Sequence, residues 1–411
     1  EVWSMFPPEP EKPWWHHLAW ALPGMMMAAG LGWWLGSRGE PEVVVQEKIV
    51  RVEVPVTQPA PPVQLTNQPA PPIGNQVTNV PPATNQFRVS RGILVETNRA
   101  AAARIGLIDP NEAVRVAPGH DAANFVTRPP KTDFEVQVAL DRLGYSPGSI
   151  DGIAGGQTRS ALVAFQHRHG LRVTGTVDAA TRAKLSLNAP AIMQRTVTTN
   201  ELATLQPLGA TWTEKSKQTA MAHESILEMF AEQHHCSPRY LMKLNPTVAW
   251  NSIAPGTPVK VPHTTAPLPP VEAALVHIQL SSRTLDVYDG STNLVARFPC
   301  SIGTLASSRP VGSLEVTTVA EAANYTFDPA RFPTSPEARV GTGKLTLQPG
   351  PNNPVGTTWI GLNRDGYGIH GTPDPEKIGR TTSLGCFRLS NWNVQKLVKM
   401  VRPGTPVRVD P

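Results

Sequence analysis

Cysteine is scarce in this chain: there are three in 411 residues, Cys236, Cys300 and Cys386, far apart and without a C-x-x-C pair. That spacing excludes a disulfide-stapled scaffold and a cysteine-rich zinc module. An odd count also leaves at least one thiol outside any intramolecular disulfide, so a reactive thiol is one reading and small buried side chains the other. Charge is scarce too. Asp, Glu, Lys and Arg make up 17% of the chain with a net charge of +5, spread without a basic run. Such a balance suits an anionic wall or membrane surface and is too mild to argue for nucleic acid, so no nucleic-acid partner is assigned. His234, His235 and Cys236, with His223 upstream, offer no metal site, because adjacent side chains on a helix point apart and no second ligand pair follows. A solvated helix end is expected there, and no metal or cofactor is assigned.

Proline, by contrast, is abundant. The 43 prolines are roughly twice what a usage of about 5% gives, and they crowd near the N-terminus. TQPAPP at 57–62 recurs as NQPAPP at 67–72, and Asn-Gln pairs at 75–76 and 85–86 keep the beat. Sequence of this kind cannot bury a core. As polyproline II at about 3.1 Å per residue, Pro55 to Gln86 would reach on the order of 100 Å; a floppy, shorter spacer fits equally well. Upstream, Leu18 to Gly36 carries no formal charge and is flanked by Trp14, Trp15, Trp33 and Trp34. Its 19 residues are just enough to cross a bilayer, so residues 1–40 are expected to form a membrane anchor. A cleaved signal peptide is the runner-up, although no A-x-A site follows. The chain opens on Glu1, which leaves Met5 as a candidate start. Residues 41–130 are read as the linker and an unassigned segment.

From residue 131 to 188 the pattern becomes helical. Val136, Leu140 and Leu143 share a face up to Gly144, Ala161, Leu162 and Phe165 share a second, and Asp178 is placed to cap a third helix. The string LGY, IDG, a G-x-x-T helix start, FQ, and TG-x-V-D-x-x-T resembles the common peptidoglycan-binding domain. The resemblance implies a three-helix module that holds wall glycan or peptide. Ala154 stands where that family has an aromatic residue, and a helical spacer that binds nothing is the bland alternative. Between 196 and 263, SILEMFAEQHHCSPRYLMKLNP followed by IAPGTPVKVP resembles the second half of a LysM glycan-binding domain, without a visible first strand or G-D-T entry.

Residues 273–410 turn to β patterning. Val276, Ile278 and Leu280, then Leu285 and Val287, alternate as a half-buried hairpin does, which points to a β-sandwich or barrel-like domain. In its last third His370 precedes Cys386 by 16 residues, both among glycines. A thiol attacks a carbonyl as thiolate, and with an ordinary pKa of about 8.5 it needs a base beside it. Bare glycine backbone admits substrate and leaves N–H groups for an oxyanion. PNNPVG at 351–356, WIGL at 359–362, YGIHGT at 367–372, S-x-G-C-x-R-L-x-N at 383–391 and GTPV at 404–407 together resemble the YkuD-type L,D-transpeptidase catalytic domain.

That resemblance implies Cys386 as nucleophile, His370 as general base and Gly371 as the residue whose carbonyl orients the imidazole. It further implies that Ser383, Gly385, Arg388 and Tyr367 shape the substrate pocket, with Arg388 able to hold a carboxylate or to serve a structural ion pair. The reaction implied is peptidoglycan cross-linking without a cofactor: acyl transfer from a tetrapeptide stem to an amine, releasing D-alanine. L,D-carboxypeptidase action, attachment of a wall protein and an inactive wall anchor are the alternatives. Leu384 replaces the histidine of the family's S-H-G-C. Cys300 is expected to be a buried strand thiol, with no disulfide to Cys386. The fold class expected is thus multidomain: a single N-terminal transmembrane helix, a Pro-rich linker, an all-α peptidoglycan-binding domain, an α+β LysM-like module and a mainly-β catalytic domain. The location expected is extracytoplasmic and anchored to the cytoplasmic membrane.

Overall fold

The computed structural model describes residues 125–264, 271–303, 309–380 and 385–411, together with the backbone of two short strands, β1 (Phe87–Ser90) and β2 (Ile93–Glu96), which pair antiparallel. Among the described residues no helix is long and apolar enough to cross a membrane. This overturns a fold class headed by a transmembrane helix, and with it the membrane partner and the membrane-anchored location. The segment Leu18 to Gly36 that suggested them lies outside the described residues, as do the proline-rich repeats.

The first helical region follows its sequence closely. Helix α1 (Asp133–Arg142) starts where the Thr132 hydroxyl accepts from the Glu135 N–H, and it ends before Gly144, whose φ of 87° only glycine adopts without strain. Helix α2 (Gly156–Arg168) buries Ala161, Leu162 and Phe165, and α3 (Ala179–Lys184) is capped by the Asp178 carboxylate accepting from Thr181 N–H. Two buried glutamines account for the short motifs between helices. Gln137 accepts from the N–H groups of Asp151 and Gly152, and Gln166 accepts from those of Thr174 and Gly175, so each amide side chain closes one loop.

The middle region begins with a strand that the sequence reading missed. β3 (Ile192–Thr196) pairs antiparallel with β4 (Pro258–Pro262). Between them come α4 (Thr199–Ala203), α5 (Trp212–Ser216), α6 (Ile226–Gln233) and α7 (Pro238–Leu244). The end of α6 is not solvated, contrary to expectation. His234 and His235 are buried and turn to different partners, Nδ1 of His234 to the Pro262 carbonyl at 3.0 Å and Nδ1 of His235 to Asp141 Oδ2 at 2.8 Å. Asp141 in turn receives Lys396 Nζ at 3.0 Å, so one fully buried carboxylate joins the first helix, the middle region and the C-terminal region. Burial alone would push Asp141 up, but His235 and Lys396 hold it well below the usual carboxylate range.

The C-terminal region contains β5 (Leu275–Gln279), β6 (Thr284–Tyr288), β7 (Leu294–Pro299), β8 (Gly312–Glu321), β9 (Tyr325–Phe327), α8 (Pro336–Arg339), β10 (Leu345–Leu347), β11 (Thr358–Leu362), β12 (Gly368–His370), β13 (Phe387–Arg388), α9 (Asn391–Val398) and β14 (Pro406–Asp410). Eight of these strands form one mixed sheet in the order β13-β12-β11-β8-β14-β5-β6-β7, and β9 pairs with β10 apart from it. The expected hairpin is there: Val276 faces Val287 and Ile278 faces Leu285, all four buried. Leu397 and Val394 of α9 close the core over this sheet.

Candidate active site

The strand order decides where the chemistry-bearing residues lie. β12 is short and lies next to the edge strand, antiparallel to β11 with Trp359 opposite His370, and parallel to β13 with His370 opposite Arg388. Ile369 faces Phe387 in the same register, so Cys386, the residue before β13, is delivered to the strand that carries His370. His370 is buried, and its ring lies over Trp359 with centroids 5.5 Å apart and planes 18° apart. Its Nδ1 is 2.7 Å from the Gly371 carbonyl oxygen. A carbonyl can only accept, so Nδ1 carries the proton and Nε2 is the basic nitrogen of the neutral ring. Burial, with the Arg388 charge nearby, pulls His370 down to about 3 against the opposing effect of the Gly371 carbonyl.

Cys386 is half-buried beside Ala320, Ala323, Val355, Trp359 and Tyr325, with Sγ 3.5 Å from the Gly366 carbonyl. Burial pushes its thiol up, opposed by a backbone hydrogen bond from Gly368 and by the charges of Arg388 and Arg331. Burial thus works against the charged form of both groups. Cys300 and Cys236 are fully buried unpaired thiols, Cys300 pushed up to about 12 by burial, and the described residues contain no disulfide.

Of the other residues picked out from sequence, Gly385 is buried directly before Cys386, and Arg388 is buried at the opposite register position to His370. Tyr367 sits half-buried in the turn between β11 and β12, with the Arg364 guanidinium 4.7 Å over its ring. Ser383 and Leu384 lie outside the described residues. Two groups had no role assigned from sequence. Tyr325, on β9, walls the Cys386 pocket and stands on Trp212 of α5 with centroids 6.3 Å apart. Asn391, the last letter of the S-x-G-C-x-R-L-x-N string, is fully buried with Oδ1 accepting from the N–H groups of Thr357 and Thr372. Only its place in that string marked it, since a lone asparagine carries no periodicity.

Comparison with known proteins identifies two of the regions. Residues 273–409 match the model of the L,D-transpeptidase catalytic domain, YkuD, and residues 134–185 match that of a peptidoglycan-binding domain. The chain thus carries a YkuD-type L,D-transpeptidase domain preceded by a peptidoglycan-binding domain. It is 27% identical over 185 residues to "Putative L,D-transpeptidase YkuD" of Bacillus licheniformis, an alignment that spans 45% of this chain and 93% of that protein. It is 39% identical over 66 residues to the Bacillus subtilis protein of the same name, spanning 16% of this chain and 40% of that one. The L,D-transpeptidase structure from Xylanimonas cellulosilytica aligns with 69% of this chain and 95% of its own at 16% identity, with a TM-score of 0.30 too low to carry an argument. The sequence likeness supports enzymatic activity of the L,D-transpeptidase family. No LysM match accompanies it for the middle region.

Proposed function

We propose that Cys386 is the nucleophile and His370 the general base of an L,D-transpeptidase acting on peptidoglycan stems. Nε2 of His370 takes the thiol proton as Sγ attacks the carbonyl after the third residue of a tetrapeptide stem. The same proton then leaves with the expelled D-alanine amine, and a thioester remains on Cys386. An amine of a second stem attacks the thioester, passes its proton through His370 to the departing sulfur, and forms the cross-link. The peptide bond broken equals in kind the peptide bond made, so the exchange runs without an external energy source.

The observation that carries this reading is the tautomer of His370: with Nδ1–H held by the Gly371 carbonyl, the basic lone pair lies on Nε2. Burial raises the thiol and lowers the imidazole, which favours the uncharged form of each before substrate arrives. Ser383, Gly385, Arg388 and Tyr367 are proposed to shape the pocket for the donor stem. We take residues 196–263 to be LysM-like, on the strength of the antiparallel β3 and β4 pair enclosing α6 and α7, and we place the protein on the wall side of the cell, where its substrate lies.

Product analysis of a tetrapeptide muropeptide incubated with the full chain tests the reading. A dimer with free D-alanine is expected, and His370→Ala should slow it by about 10²–10⁴-fold. A trimmed tripeptide without dimer would make water the acceptor, and undiminished dimer from His370→Ala would exclude the histidine.

A further inference from the structure

The middle region meets the catalytic sheet directly beside the base. Asn391 opens α9, and every hydrogen-bonding position its side chain uses is accounted for. Oδ1 accepts from Thr357 N–H at 3.2 Å and Thr372 N–H at 3.1 Å, while Nδ2 donates to the Pro351 carbonyl and to Glu232 Oε2, each at 3.1 Å. Thr372 follows Gly371, whose carbonyl takes the Nδ1–H of His370. The contact is close: a Cβ on Gly371 would lie 2.1 Å from Asn391 Oδ1, and one on Gly356 would meet the same oxygen at 2.1 Å. Glu232 belongs to α6, in the middle region, and its other oxygen stands 3.6 Å from Nε2 of buried His223.

We propose that Glu232 is a positioning residue for His370, acting through Asn391, so that the middle region is a working part of the catalytic site as well as a wall-binding module. An asparagine amide has two orientations of nearly the same shape. In the flipped one its NH₂ would face two N–H donors and its oxygen two acceptors, and all four hydrogen bonds would be lost. A carboxylate accepts only, so Glu232 together with the Pro351 carbonyl fixes the orientation in which Oδ1 holds the Gly371–Thr372 peptide. That peptide in turn sets the ring of His370. The inference rests on the Cys386 and His370 reading above.

The test is steady-state kinetics of the full chain on a tetrapeptide muropeptide, together with the rate of Cys386 alkylation by iodoacetamide at neutral pH, located by peptide mass spectrometry. Glu232→Leu, which keeps the bulk and loses the acceptor, should lower kcat on the order of tenfold with KM within about twofold; a base misplaced by 1 Å costs roughly a hundredfold. Alkylation should slow in step. Glu232→Gln keeps an acceptor oxygen and should stay within about threefold of wild type. Asn391→Asp sets two carboxylates face to face, and adding Glu232→Gln to it should recover several-fold in kcat, an outcome that needs no folded Leu variant. A Leu variant with unchanged kcat and alkylation, or an Asn391→Asp variant not improved by Glu232→Gln, would overturn the proposal. If Cys386→Ala matches wild type, the reading of the site itself fails, whatever Glu232 does.

Discussion

Replacing Asp141 with alanine should destabilise the described unit strongly. The carboxylate is fully buried and holds Lys396 Nζ at 3.0 and 3.1 Å and His235 Nδ1 at 2.8 Å. Its removal strands an ammonium and an imidazole that were placed for it. Breaking a buried ion pair from one side costs about 3–5 kcal/mol, and because the Lys396 side chain keeps 15% of its surface in water the lower end, about 3 kcal/mol, applies. At about 2–4 °C per kcal/mol the melting temperature should fall by roughly 6–12 °C. Urea denaturation should show the same loss as a lower midpoint at similar slope. In a Lys396→Met background the stranded ammonium is gone, so the alanine should cost at least about 1 kcal/mol less. An alanine variant that melts within about 2 °C of wild type would refute the idea that this carboxylate is the joint of three regions.

Stability should also fall as pH drops below the ordinary histidine value of about 6.5. His234, His235 and His370 are all held below that value, chiefly by burial, so the unfolded chain binds protons there that the native chain refuses, and the stabilisation present above pH 6.5 is lost on acidification. Each contributes up to about 1.4 kcal/mol per pH unit, read by melts between pH 7.5 and 5. His223 works the other way: burial lowers it, but Glu232 and Glu228 raise it further, so its contribution is complete below about pH 6.5 and is lost as pH rises through its raised value. Trp212→Ala should remove the stacked contact with Phe327, 4.4 Å between centroids and 10° between planes, at a cost of about 0.5–1.5 kcal/mol beyond the lost area. Because Tyr325 shares that support and walls the Cys386 pocket, KM for a tetrapeptide stem should rise, which initial-rate kinetics checks; an unchanged KM would separate α5 from the pocket.

Much of this was legible before any coordinates. The three helices of the first region were readable because Gly144, Asp178 and the Ala161, Leu162, Phe165 face are local signals with local causes. The Val276 to Val287 hairpin was readable for the same reason. The β3 strand escaped because its partner β4 lies more than sixty residues further on, and IMQRT carries only one buried apolar side chain, Met193, to mark it. The burial of His234 and His235 escaped because it depends on Pro262 and Asp141, which are distant in sequence. At the site, Cys386 and His370 were marked by the YGIHGT and S-x-G-C-x-R-L-x-N strings that carry the family resemblance, whereas Asn391 and Glu232 meet in a hydrogen bond made across 159 residues of chain, which no spacing rule reaches. The expected transmembrane helix has no counterpart among the described residues, and Leu18 to Gly36 lies outside them.

The central claim, acyl transfer through Cys386, is tested most directly by intact-protein mass spectrometry after mixing the chain with a tetrapeptide-stem muropeptide. The account predicts a thioester adduct that carries the stem without its terminal D-alanine, located on Cys386 and missing from Cys386→Ala. A folded, reduced wild-type protein that releases D-alanine without ever showing that adduct, or an adduct that persists in Cys386→Ala, would contradict it.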